Sequence, residues 1–104
     1  MGNSTSNSNS LSPQEAKKFI KDNSFDVILD VRTDGEWNEG HHPNAIHISL
    51  DKVDKKFHKL YSDKSVKVLI YCRSGTRAGN AAQILNSQGY SNIYTVSGGY
   101  SNFI

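Results

Sequence analysis

The chain has 104 residues, one cysteine and a formal net charge of +2, from 12 Lys and Arg against 10 Asp and Glu. That length fits one small domain with a modest core, and a lone cysteine excludes an intramolecular disulfide and any zinc site built on a cysteine pair. Without a run of basic residues there is no footprint for a nucleic-acid backbone, and no apolar stretch is long enough to span a bilayer.

Residues 1–11 read as a disordered tail, since Met1 to Ser10 are nearly all Ser and Asn with no apolar content to bury, and residues 12–104 as the domain. Met1-Gly2 with Ser6 fits an N-myristoylation pattern, but a Ser-rich tail matches that pattern cheaply. Ser12-Pro13-Gln14-Glu15 is a capping-box start, and Ala16, Phe19 and Ile20 follow on one helical face. Val27-Ile28-Leu29 predicts a short buried strand closed by Asp30-Val31-Arg32. Thr33 to Pro43 reads as a loop or short helix, and Ala45 to Ile48 as a second strand. Leu50, Val53, Phe57 and Leu60 have the spacing of an amphipathic helix whose lysines face solvent. Val66 to Tyr71 is the central strand. Ala78, Ala81, Ala82 and Leu85 give the next helix a small-residue face, with Gly89 as its C-terminal stop. Ile93 to Val96 is the last strand, and Ser97-Gly98-Gly99 a turn. Strands alternating with helices predict an α/β domain, a small mainly parallel sheet flanked by helices on both faces. Ligands of such sheets bind at the carboxyl ends of the strands, where Asp30-Val31-Arg32 and Cys72-Arg73 both fall.

Cys72 ends the central strand and stands before a polar loop that opens a helix. Helix-start N–H groups are unpaired and partially positive, so they favour a thiolate over a thiol. Ser74, Gly75 and Thr76 can turn the backbone so that its N–H groups point inward as an anion-binding nest, and Arg73 and Arg77 add positive charge. The expectation is a nucleophile, Cys72, with Arg73 to Arg77 lining its pocket. A buried inert thiol is the rival reading. Asp30 and Glu36 offer a carboxylate pair for acid–base work. The simpler expectation is that Asp30 holds a turn through backbone N–H groups and that Arg32 pairs with a carboxylate such as Glu36. His41, His42 and His47 match no metal-ligand spacing and read as loop or core histidines, so neither a metal nor a cofactor is expected.

The pattern resembles a known family. Asp30-Val31-Arg32, Glu36-Trp37, Gly40-His41 and Ala45-Ile46-His47-Ile48 are similar to the first signature of the rhodanese (sulfurtransferase) homology domain. Tyr71-Cys72-Arg73-Ser74-Gly75-Thr76-Arg77-Ala78 is similar to its active-site loop, and Gly98-Gly99-Tyr100 to its closing segment. His42-Pro43-Asn44 and Ser49 depart from the usual pattern, in the connection before the second strand and just after it. The resemblance implies a single-domain thiosulfate:cyanide-type sulfurtransferase. A Cys72 persulfide would carry sulfane sulfur from a thiosulfate-like donor to cyanide or a thiol, and a redox or sulfur-acceptor protein would be a natural partner. It assigns Arg73, Ser74, Gly75, Thr76 and Arg77 to the pocket, and Asp30, Arg32 and Glu36 to structural support. A lone thiol suits the cytoplasm, whereas a removed signal peptide would place the protein in the periplasm. Two rivals differ in class. One is a cysteine-dependent phosphatase or arsenate reductase, although only four residues separate Cys72 from Arg77, where such phosphatases have five. The other is a non-catalytic sulfur-relay or binding module.

Overall fold

The computed structural model describes residues 9–103. Its elements in chain order are β1 (Asn9–Leu11), α1 (Pro13–Lys21), β2 (Val27–Asp30), α2 (Asp34–Glu39), β3 (Ala45–His47), a 3-10 turn (Leu50–Lys52), α3 (Val53–Leu60), β4 (Val68–Tyr71), α4 (Thr76–Ser87), β5 (Ile93–Val96) and α5 (Tyr100–Phe103). The five strands form one sheet in the order β1-β5-β4-β2-β3, and every neighbouring pair is parallel. The expected architecture is therefore present, with β4 at the centre.

All four residues of β4 and of β2 are buried, because the sheet is covered on both faces and each pleat direction meets a helix layer. On one face Val27, Leu29, Val31, Val68, Ile70 and Cys72 pack with Phe57 of α3 and with Ala78, Ala81, Ala82 and Leu85 of α4. On the other, Ile28, Leu69, Tyr71 and Val96 pack with Ala16 of α1 and with Tyr100. The alanines let α4 lie close against β4, which holds its first turn next to the residue that follows the strand. The start of α1 is the capping box expected from sequence. Ser12 Oγ accepts from the Glu15 N–H at 3.1 Å, and the Ser12 N–H donates to Glu15 Oε1 at 2.9 Å.

Two expectations need correction. Order does not start at Ser12, since Asn9, Ser10 and Leu11 pair in register with Tyr94, Thr95 and Val96. A strand ladder uses backbone groups that every residue carries, so side-chain composition does not report on it. The rest of the tail, with its myristoylation pattern, lies outside the described residues. Leu60 is 62% exposed. Leu50 belongs to the 3-10 turn, and the buried face of α3 runs through Val53 and Phe57 to Tyr61, whose ring lies 5.0 Å from that of Phe57. Residues 33–43, expected as a loop or short helix, do hold a short helix, α2, started by a second capping box between Thr33 and Glu36. No helix among the described residues is long and apolar enough to cross a membrane.

Candidate active site

Cys72 follows the last residue of β4 and is 1% exposed. Its Sγ accepts the N–H of Gly75 at 3.0 Å and that of Ala78 at 3.2 Å. Gly75 supplies the reversal, at φ +99°, where an L side chain is strained. The N-cap residue of α4, Gly75, has no side-chain oxygen to offer, and the Cys72 sulfur takes the place of the capping acceptor. Local sequence makes this possible. A β-rich run ends at the thiol, Gly75 turns the chain, and an alanine at position 78 brings the helix close enough for its amide to reach the sulfur.

The loop rests on the Gly98-Gly99 turn. The Tyr100 N–H donates to the Cys72 carbonyl at 3.0 Å. A Cβ on Gly99 would stand 1.6 Å from the Arg73 carbonyl oxygen, and one on Gly75 would meet the Gly98 carbonyl oxygen at 3.1 Å. The segment is the expected turn, and its contact with the Cys72 loop is a feature that the sequence analysis does not foresee. The doubled glycine was the available signal, because two adjacent residues without Cβ mark a place where backbones press together.

The charged residues pair differently from expectation. Asp30, fully buried, does hold the turn, accepting the Arg32 N–H at 2.8 Å. Arg32 pairs with Asp30 rather than Glu36, at 2.8 Å, and also donates to the Gly40 carbonyl. Its guanidinium lies 4.0 Å from the centre of the Tyr100 ring. Burial works against the Arg32 charge, yet the Asp30 hydrogen bond and charge outweigh it and hold its pKa above the ordinary value. Glu36 belongs to Arg77, whose two terminal nitrogens donate to its two oxygens at 2.8 and 3.1 Å. Expected to line the pocket, Arg77 instead turns its guanidinium to this carboxylate, while Arg73 is 79% exposed with Nη1 at 3.8 Å from Glu36 Oε2. Ser74 and Thr76 are exposed on the loop rim. Arg32, Glu36, Glu39, Gly40, Arg73, Tyr100 and Ser101 line a cleft of about 470 Å³ beside the loop. His41 and His47 stack on the two ring contacts of Trp37, at 3.3 and 5.0 Å, as loop and core side chains.

Hydrogen bonding to Arg77 holds the Glu36 carboxyl at about 2, below the ordinary 4.5. A depressed carboxylate pKa adds stability that is complete above about 4.5 and lost as pH falls towards about 2. Wild type should therefore unfold at a higher urea concentration than Glu36→Gln near neutral pH, and the gap should close by about pH 2. An equal gap at both pH values would show that the pair contributes nothing through its charge.

The model of the rhodanese-like domain matches residues 12–104. Over 93 residues the chain is 34% identical to the thiosulfate sulfurtransferase GlpE of Coxiella burnetii, covering 89% of this chain and 84% of that protein. It is 31% identical to the tRNA uridine(34) hydroxylase of Hamiltonella defensa over 90% of this chain, but over only 27% of that longer protein. The structure superposes on a rhodanese-like domain protein from Staphylococcus aureus with a TM-score of 0.78 at 29% identity, covering 92% of this chain and 91% of the other. With a thiol at the end of the central parallel strand, amide-capped at the mouth of α4, and with these relatives, the chain belongs to the rhodanese-like domain family.

Proposed function

We propose that this protein is a sulfurtransferase in which Cys72 takes a sulfane sulfur from a donor such as thiosulfate and passes it to cyanide or a thiol. The observation that carries this reading is the Cys72 sulfur held by the Gly75 and Ala78 amides at the otherwise uncapped start of α4. Those donors favour negative charge on sulfur. In the first step the thiolate attacks the outer sulfur of thiosulfate. A Cys72 S–S bond forms, the donor S–S bond breaks, and sulfite leaves with the electron pair. In the second step the acceptor attacks the outer sulfur of the persulfide and the Cys72 thiolate is restored. A covalent two-step path of this kind gives ping-pong kinetics. The relative named as a thiosulfate sulfurtransferase supports the same reading.

Intact-mass measurement after thiosulfate treatment tests it. The expected result is a gain of one sulfur atom that disappears on adding cyanide, with no partner protein present. Absence of the adduct at any donor concentration, or efficient hydrolysis of aryl phosphates, would overturn the proposal.

A further inference from the structure

Three arginines stand near Cys72, and two of them are already matched by carboxylates. Arg32 is held by buried Asp30, and Arg77 by both oxygens of Glu36. Arg73 is exposed and reaches the same Glu36 at 3.8 Å. Glu39 lines the cleft as well. Among the charged residues lining that cleft, Arg32 and Arg73 are balanced by Glu36 and Glu39, so their formal charges sum to zero. Outside that lining, Asp30 beneath Arg32 and Arg77 beside Glu36 add one charge of each sign, so the sum stays at zero. Glu36 keeps its charge throughout the neutral range, because its carboxyl loses the proton at about 2. The sequence promises a cationic pocket for a multiply charged donor, and the structure does not deliver one.

Resting on the sulfurtransferase reading above, we propose that Glu36 is a specificity-determining residue. By engaging Arg77 with both oxygens and standing beside Arg73, it withdraws the cationic side chains of the loop from the donor. The site is thereby turned from dianionic thiosulfate towards sulfur donors of lower charge. Binding of the donor then falls to the loop amides, which attract negative charge but form no ion pair with it. An organic thiosulfonate is a donor of the favoured class. The balance is the same as for thiosulfate: the Cys72 thiolate attacks the terminal sulfur, the new S–S bond forms, the sulfonyl–sulfur bond breaks, and a sulfinate leaves with the electron pair.

The experiment compares thiosulfate with methanethiosulfonate, which carries one negative charge fewer, on wild type, Glu36→Gln and Glu39→Gln. Glutamine can keep the capping box with Thr33, so Glu36→Gln removes charge while retaining the start of α2. Glu39→Gln changes an exposed residue and keeps the test open if the first variant folds poorly. Releasing Arg77 to form a charged hydrogen bond with the donor should lower the KM for thiosulfate about tenfold in Glu36→Gln, with kcat nearly unchanged. A smaller fall is expected in Glu39→Gln. The KM for methanethiosulfonate should move about threefold or less in either variant, and raising salt to about 1 M should shrink the difference between donors. A merely structural role for Glu36 would shift both donors in parallel and would not respond to salt. Parallel shifts, or an unchanged or higher thiosulfate KM in both variants, would overturn this role of Glu36 and leave the transferase reading intact. Sulfur uptake by wild type from neither donor would overturn both.

Discussion

Cys72→Ser is expected to fold normally and to take up no sulfur, whereas Cys72→Ala is expected to lose both sulfur transfer and part of its stability. Cys72 is the chain's one thiol, so no other side chain can carry a persulfide. A serine hydroxyl is a poor nucleophile without a base to activate it. It is nevertheless an acceptor, and it can take the Gly75 and Ala78 N–H groups that the sulfur now holds. Alanine cannot, and leaves two donors at the start of a buried helix face without that partner. Each unsatisfied buried donor costs about 1–3 kcal/mol, so Cys72→Ala should unfold at a clearly lower urea concentration than Cys72→Ser. Turnover with thiosulfate and cyanide should fall to background in both. Measurable turnover in Cys72→Ala would end the nucleophile assignment. Equal stability of the two variants would show that the sulfur does not act as the cap of α4.

Gly99→Ala is the second large effect. Its Cβ would stand 1.6 Å from the Arg73 carbonyl oxygen and 2.6 Å from the Arg73 carbonyl carbon. Both obstacles are backbone atoms, which cannot rotate away as a side chain would. Relief requires moving either the Gly98-Gly99 turn or the nucleophile loop. Either movement strains the Tyr100 N–H bond to the Cys72 carbonyl and shifts the Tyr100 ring from its seat over Arg32. Overpacking of a tight site costs about 1–3 kcal/mol, and more when backbone must shift. A displacement of about 1 Å at a reacting group can lower the rate about a hundredfold. Gly99→Ala should therefore lose stability by about that energy and turnover by about that factor. Gly79→Ala is the matched control. It lies within α4 with nothing within 4 Å of its Cβ, and should gain up to about 1 kcal/mol from helix propensity. Urea midpoints and turnover measured together decide the matter. A Gly99→Ala protein as stable and active as Gly79→Ala would mean that the turn does not press on the loop.

These effects share one physical feature. The candidate nucleophile with its amide donors, residues 72–78, and the turn that braces them, residues 98–100, come from two separate parts of the chain. They meet at the carboxyl ends of β4 and β5 because parallel strands deliver their C-terminal loops to the same edge of the sheet.

Much of the architecture is legible in the chain itself, because the signals are local. Val27 to Leu29, Val68 to Tyr71 and Ile93 to Val96 announce buried strands by their apolar runs. Ser12 and Glu15 announce the start of α1 by spacing alone, and Thr33 with Glu36 carried the same signal for α2. The position of Cys72 between an apolar strand and a glycine-containing loop marks it as the candidate nucleophile for the same reason. Choice of partner is a different matter. Arg32 takes Asp30, two residues away, and Glu36 takes Arg77, 41 residues away, although the sequence suggests a match of Arg32 with Glu36. Electrostatic pairing depends on distance in space, and that distance was decided by how α2 and α4 pack at the end of the sheet. The strand at Asn9–Leu11 and the contact of Gly99 with Arg73 are of the same kind. The strand ladder is made by backbone groups that carry no mark of residue type, and the doubled glycine marks a close approach without naming its partner, so only the assembled tertiary structure brings both into view.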